Sequence, residues 1–410
     1  MTDPAPTADR PVYLDHAATT PLAPEVVAAM HEVLAGDALY ANASAAGHAP
    51  GRRALAAVED ARTRVAAVIG ADPAAIVWTS GATESDNLAL LGTARRSGWR
   101  GRHVVTSRSE HRAVIDACRV LEREGFDVTW LDPDDAGAVS PAQLADALRD
   151  DTLLVSLMHV NNETGAVSDL AALGAVCRDA GTLFHVDAAQ GVGKLALDVG
   201  SLPVDLVSLN AHKVHGPKGV GALWVGERAR VRLGPLFHGG GQEQGLRPGT
   251  LATHQLVGMA AALELAAGHR EAEHARIARL RVRLWQGLEA LGGVHANSPL
   301  ERGSPWILNV AFDGVDGESL RASVPTLALS SGSACNSAHA EPSYVLKGLG
   351  RSDQLAGASL RFSFGITTTD DDIGFAIAAL AQALPRLRAM WPSGLSPGDG
   401  RGLSTAGDMG

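Results

Sequence analysis

Lysine is the scarcest of the charged side chains in this chain of 410 residues. Of 35 basic residues, only Lys194, Lys213, Lys218 and Lys347 are lysines. A guanidinium is not an amine nucleophile at neutral pH, so Schiff-base chemistry is confined to four positions. Cysteine is scarcer still. Three thiols, Cys118, Cys177 and Cys335, do not make a disulfide framework in a chain this long, and a reducing cytoplasm is the expected compartment. No apolar run is long enough to cross a bilayer. There is no block of Lys or Arg, and the net charge of −10 argues against a dedicated nucleic-acid or membrane-surface binder. The first residues, Met1 to Thr7, lack the charged-then-apolar pattern of a secretory signal, and no repeat of fixed period is present.

What is present is ample material for a core: 46% of residues are apolar and 20% charged. Residues 1–10 and the Gly/Ser-rich stretch 393–410 have no apolar period and are expected to be disordered. Between them lie seven short β-branched runs, near residues 76–79, 103–106, 128–131, 153–158, 183–187, 206–209 and 222–225. Helical spacing fills several gaps, at 54–69, 141–148 and 168–180, so the alternation predicts an α/β domain with a largely parallel sheet. After residue 255 the pattern turns to long helices, at 255–267 and 271–291, and then to a short α+β stretch with a final helix over 370–390. The expected organisation is a large domain over residues 11–260, whose first residues may join the smaller one, and a small C-terminal domain over 261–392.

Ligands of open α/β sheets bind outside the carboxyl ends of the strands. The segments following the predicted strands are unusually polar. They read Thr79-Ser-Gly-Ala-Thr-Glu-Ser-Asp-Asn87, Ser109-Glu-His111, His159-Val-Asn-Asn-Glu-Thr-Gly165, His185-Val-Asp-Ala-Ala-Gln190 and Asn210-Ala-His-Lys-Val-His-Gly-Pro-Lys218. The first is a Gly-containing turn opening a Ser/Thr-rich helix, a pattern that suits a phosphate. Lys213 just past a buried strand is a Schiff-base candidate, with Lys218 as its competitor, and Asp187 can face a pyridinium nitrogen. Together these describe a pyridoxal-phosphate site. Gly191-Val-Gly-Lys-Leu-Ala196 mimics a dinucleotide fingerprint, but it opens into no helix. His212 and His215 have no carboxylate spacing that completes a metal site.

Cys118 and Cys177 lie on apolar helical faces and are expected to be buried and inert. Cys335 sits in Ser330-Ser-Gly-Ser-Ala-Cys-Asn-Ser-Ala-His339, a run of small polar residues that predicts an exposed, flexible loop with an accessible nucleophile.

These motifs resemble the group I cysteine desulfurases of the class V aminotransferase family. Added to the segments above, the matching stretches are Tyr13-Leu-Asp-His-Ala-Ala-Thr-Thr20, Gly239-Gly-Gly-Gln-Glu243, Arg247-Pro-Gly-Thr250, Ser331-Gly-Ser-Ala-Cys335 and Glu341-Pro-Ser-Tyr-Val-Leu346, in family order. The resemblance implies pyridoxal-phosphate fold type I, with a mostly parallel seven-stranded sheet and a smaller α+β domain. It implies that Lys213 carries pyridoxal 5′-phosphate, His111 stacks on its ring, Asp187 pairs with the ring nitrogen and Gln190 bonds the phenolic oxygen. Ala82, Thr83, Asn210 and His212 would contact the cofactor, with Thr250 reaching it from a neighbouring subunit in a homodimer. Asn162 and Arg361 would receive L-cysteine, and Cys335 would take its sulfur as a persulfide for a sulfur-acceptor protein. The sequence departs from the family pattern at Ala43, Asn210, Gln244 and Ile366. Selenocysteine lyase, cysteine-sulfinate activity and a non-catalytic cofactor-bound scaffold are the competing readings.

Overall fold

The computed structural model describes residues 6–35, 40–331 and 342–391. The short β1 (Val12–Tyr13) is followed by seven strands of one sheet: β2 (Ile76–Thr79), β3 (His103–Ser107), β4 (Asp127–Leu131), β5 (Thr152–Met158), β6 (Leu183–Asp187), β7 (Leu206–Asn210) and β8 (Gly221–Val225). Their spatial order is β2-β8-β7-β6-β5-β3-β4, and only β8 runs antiparallel to its neighbours. These strands read as continuous apolar runs because both faces are covered. Successive side chains point to opposite faces, so Val207, Leu209 and Trp224 join one core while Leu206, Leu223 and Val225 join the other. The first core is closed by helix Ala49–Val68, the second by the helical run from Ala82 and by helix Arg112–Arg123.

Chain order reverses between β3 and β5: β4 lies on one side of β3, while β5, β6 and β7 step away on the other. A crevice opens at the carboxyl ends beside such a switch point. At that rim the start of β8 must pass close to the turn after β2. A Cβ on Gly221 would lie 2.7 Å from the Gly81 Cα, so this crossing needs glycine.

A second sheet follows: β9 (Val294–Ala296), β10 (Ile307–Phe312) and, beyond β11 (Leu327–Ala328), β12 (Ser359–Ser363), in the order β12-β10-β9. It packs on helix Asp370–Ala389 around Leu308, Val310, Phe362 and Leu380. β1 pairs with β11, which ties the start of the chain to this sheet. Residues 6–10, expected to be disordered, carry a reciprocal pair of backbone hydrogen bonds between Thr7 and Arg10.

One expectation is corrected. The two helices read over 255–267 and 271–291 are a single helix, Thr253–Glu289, and residue 260 falls inside it. Its first part packs Leu256, Met259 and Leu263 into the large core, and its last part packs Ile277, Leu280 and Leu284 into the small one. The stretch between is polar because it bridges two cores. Gly268 there costs a helix only about 1 kcal/mol, too little to break it.

Candidate active site

The carboxyl ends of β2, β3, β5, β6 and β7 surround a cavity of about 590 Å³. Ser80, Gly81, Ala82 and Thr83 line one end, where the helix Ala82–Asn87 begins. No side chain caps Gly81, so the first N–H groups are presented at the cavity end. His212 borders the same end and shares a 3.2 Å contact between its Nδ1 and Thr19 Oγ1. Burial, with repulsion from Lys213, Lys218 and Lys194, pulls its pKa down to about 4, so the ring is neutral at pH 7.

His111 caps the helix Arg112–Arg123. Its Nδ1 accepts from the Ala113 N–H at 3.2 Å, which leaves the proton of the neutral ring on Nε2. Burial lowers its pKa and Lys213 lowers it further, against an opposing pull from Asp187. Asp187 ends β6, is buried, and accepts from the Ala189 N–H at 2.9 Å. One polar atom each of Asp86, His111 and Asp187 lies within 4.8 Å of the others. Asp86 and Glu110 are also buried, and burial followed by repulsion from Asp187 holds Asp86 far above the usual carboxyl range. Burial does the same to Glu110. Among the described residues neither Asp86 oxygen nor Glu110 Oε2 has a hydrogen bond of standard geometry, although Ser208 and His185 lie beside Asp86. With two buried carboxyl groups whose charged form burial disfavours and Lys213 alongside, this set suits a protonated heterocyclic nitrogen better than a metal ion.

Both candidate lysines border the cavity. Lys213 is half-buried and acts electrostatically on Asp15, Asp86, His111, Lys194 and His212, whereas Lys218 is exposed and is felt among the shifted groups by His212 alone. Gln190 donates from Nε2 to the Ala17 carbonyl at 2.9 Å. Asn210, at the end of β7, is buried, and its Oδ1 has no partner among the described residues.

Arg361 on β12, in the second sheet, also lines the cavity. It is 1% exposed; its Nη1 donates to the Asn162 carbonyl at 2.8 Å, its Nη2 to Asp15 Oδ1 at 2.7 Å, and its Nε has no partner among the described residues. Beside it Ser343 Oγ donates to the buried Glu163 Oε2 at 2.5 Å. The expected set is therefore gathered in one cavity, with two exceptions. Thr250 is exposed and does not line this cavity, and Cys335 lies outside the described residues. Cys118 and Cys177 are buried, and burial raises both thiols. Asp15, Asp86 and Glu163 had no assigned role in the sequence reading. All three lie inside quoted motifs, but only folding shows what they face.

Glu163 gives a pH prediction. Burial raises its pKa from 4.5 to about 7. Between these values the folded form keeps a proton that the unfolded chain has lost, so stability falls as pH rises through this window, by about 3 kcal/mol for a shift of this size. Glu163→Gln should flatten the fall. Urea unfolding of both proteins at pH 5 and pH 8 measures the difference, and equal slopes would contradict it.

Comparison with known proteins agrees with this geometry. Residues 12–375 match the family Aminotransferase class-V. A Cysteine desulfurase IscS of Photorhabdus laumondii is 50% identical over 382 residues, 93% of this chain and 95% of the relative. A solved structure of a NifS-like protein superposes with a TM-score of 0.85 at 33% identity, covering 92% of this chain and all of that one. The structure of SspA in complex with cysteine superposes with a TM-score of 0.76 at 36% identity, covering 87% and 99%. The chain belongs to the class-V aminotransferase family. Pyridoxal 5′-phosphate is its cofactor, and the cavity fits it: open N–H groups for a phosphate at one end, a carboxylate for the ring nitrogen, an amide and an amine between.

Proposed function

We propose that this chain is a pyridoxal-phosphate-dependent cysteine desulfurase that converts L-cysteine to L-alanine and carries the sulfur as a persulfide on Cys335. The observation that carries the reading is the placement of Lys213, His111 and Asp187 in one cavity that a buried arginine, Arg361, also lines. It is supported by the 50% identical relative named as a cysteine desulfurase and by the neighbour solved with cysteine.

Ser80 to Thr83 and His212 would hold the cofactor phosphate, Asp187 the ring nitrogen, Gln190 the phenolic oxygen, and Lys213 the aldehyde carbon, with Asn210 Oδ1 as a further acceptor. The bound cofactor supplies an electron sink for charge developing on the substrate Cα. Arg361 binds the substrate carboxylate, which fixes the Cα–H bond relative to Lys213. Lys213 Nζ takes the Cα proton and later returns a proton to the same side, while His111 Nε2 holds the proton delivered near the ring. The Cys335 thiolate attacks the substrate sulfur and the carbon–sulfur bond breaks. The electron pair remains with the alanine skeleton, which two protons complete, and the protein retains Cys335–S–SH. An acceptor thiol then removes the outer sulfur.

Thr250, exposed and outside its own chain's cavity, fits a homodimer in which each subunit completes the other's phosphate site. We assign the protein to the cytoplasm as a sulfur donor for iron–sulfur cluster assembly; the support is the relatives' shared name, Cysteine desulfurase IscS. No helix among the described residues is long and apolar enough to cross a membrane.

The test is anaerobic alanine formation from L-cysteine with reductant, comparing the parent with Cys335→Ser. Loss of the nucleophile should lower the rate at least ~100-fold. Alanine from neither protein, with the cofactor bound, would sink the proposal.

A further inference from the structure

Lys194 is the one fully buried lysine whose presence the reaction does not explain. It follows the Gln190 turn, is 6% exposed, and has no salt bridge among the described residues. Its Nζ lies 3.5 Å from Gln190 Oε1 and 5.7 Å from the centroid of the Trp306 ring. It does not line the main cavity. It borders a separate cavity of about 270 Å³ behind Lys213, with Trp306 and Phe364. Burial and repulsion from Lys213 and Arg361 press its pKa down to about 7, so the fold keeps an amine where an apolar side chain would be easier to bury.

Gln190 is its polar contact among the described residues, and the chemistry of that contact is directional. In its protonated form, present below a pH of about 7, Lys194 only donates, so it favours the amide oxygen on its side, the same orientation in which Nε2 meets the Ala17 carbonyl. Its Nε2 then points the other way, with one hydrogen on the Ala17 carbonyl and the second left for the cavity that Gln190 lines. A flipped amide would set Oε1 against the Ala17 carbonyl and Nε2 against the ammonium, two mismatches at once. A cation on the amide oxygen also withdraws charge from the amide nitrogen and makes its N–H a stronger donor.

We propose that Lys194 is a positioning residue: from behind the site it locks and polarises the Gln190 amide so that an N–H is presented to the phenolic oxygen of the bound cofactor. This rests on the reading of the cavity as a pyridoxal-phosphate site. Lys194 touches neither substrate nor cofactor and acts through Gln190 alone.

The readout is the pH at which the visible absorbance of the bound cofactor changes, titrated on holoenzyme. A donor to the phenolic oxygen favours its anion, so weakening the donor moves the transition. Lys194→Met should shift the midpoint by at least half a pH unit from the parent value and weaken cofactor retention on dialysis at least threefold. Lys194→Gln, which keeps a donor, should fall between the two. In a Gln190→Ala background, Lys194→Met should add no further shift. An unchanged midpoint in Lys194→Met would overturn the proposal, and so would a shift of the same size with and without Gln190, because that marks direct action of the charge. Loss of thermal stability in Lys194→Met with an unmoved spectrum marks a purely structural lysine and overturns it too. A parent protein that shows no visible cofactor band refutes the site reading itself, a distinct failure.

Discussion

Lys213→Ala should lower alanine formation about 10⁴-fold, since it removes both the covalent anchor and the base in one step. The same substitution should abolish the mass added to the chain when holoenzyme is reduced with borohydride and analysed by mass spectrometry. Two lysines border the cavity, so the experiment discriminates between them. Lys213 follows β7 directly and sits among Asp15, Asp86 and His111, whereas Lys218 is exposed beyond Pro217. Borohydride should therefore fix the cofactor on Lys213 in the parent and in Lys218→Ala alike. Label found on Lys218 would overturn the assignment of every proton transfer to Lys213.

Arg361→Lys should raise the KM for L-cysteine 10- to 100-fold while changing kcat less. The loss corresponds to about 1.5–3 kcal/mol, the worth of a hydrogen bond to a charged group. A lysine keeps the positive charge but not the fork that spans Asp15, the Asn162 carbonyl and an incoming carboxylate. Arg361→Leu is the harsher change. It strands the Asp15 carboxyl, which burial already raises and the Arg361 charge restrains. Breaking a buried pair in this way costs about 3–5 kcal/mol, read as a fall in Tm of the cofactor-free protein. Steady-state kinetics of Arg361→Lys with an unchanged KM would show that the substrate carboxylate binds elsewhere.

Much of the site was legible before folding. Strand ends are where a parallel sheet delivers its side chains, so Glu110-His111, Asp187 and Lys213 could be read from position alone once the apolar runs were found. The burial of Cys118 and Cys177 followed from helical spacing in the same way. The long helix Thr253–Glu289 was harder. Its polar middle looks like a connection in sequence, because periodicity fades where a helix leaves one core and has not reached the next.

The sequence by itself determined the local chemistry: seven short strands, a Gly-containing turn opening a helix, four lysines, and the polar groups that follow the strands. These are short-range properties of residue type and spacing. Only the tertiary structure decided which groups meet. Asp15 and Arg361 pair across 346 residues because β1 is drawn onto β11 and an isolated bridge ties Asp15 to Ser363. Lys194 meets Trp306 of the small core, 112 positions away, through the same packing, whereas its contact with Gln190 is local to the turn after β6. Thr250, close in sequence to the site motifs, is left on the surface. Spacing along a chain reports neighbours within an element, whereas a site assembled from five strand ends and a second sheet is set by packing at long range.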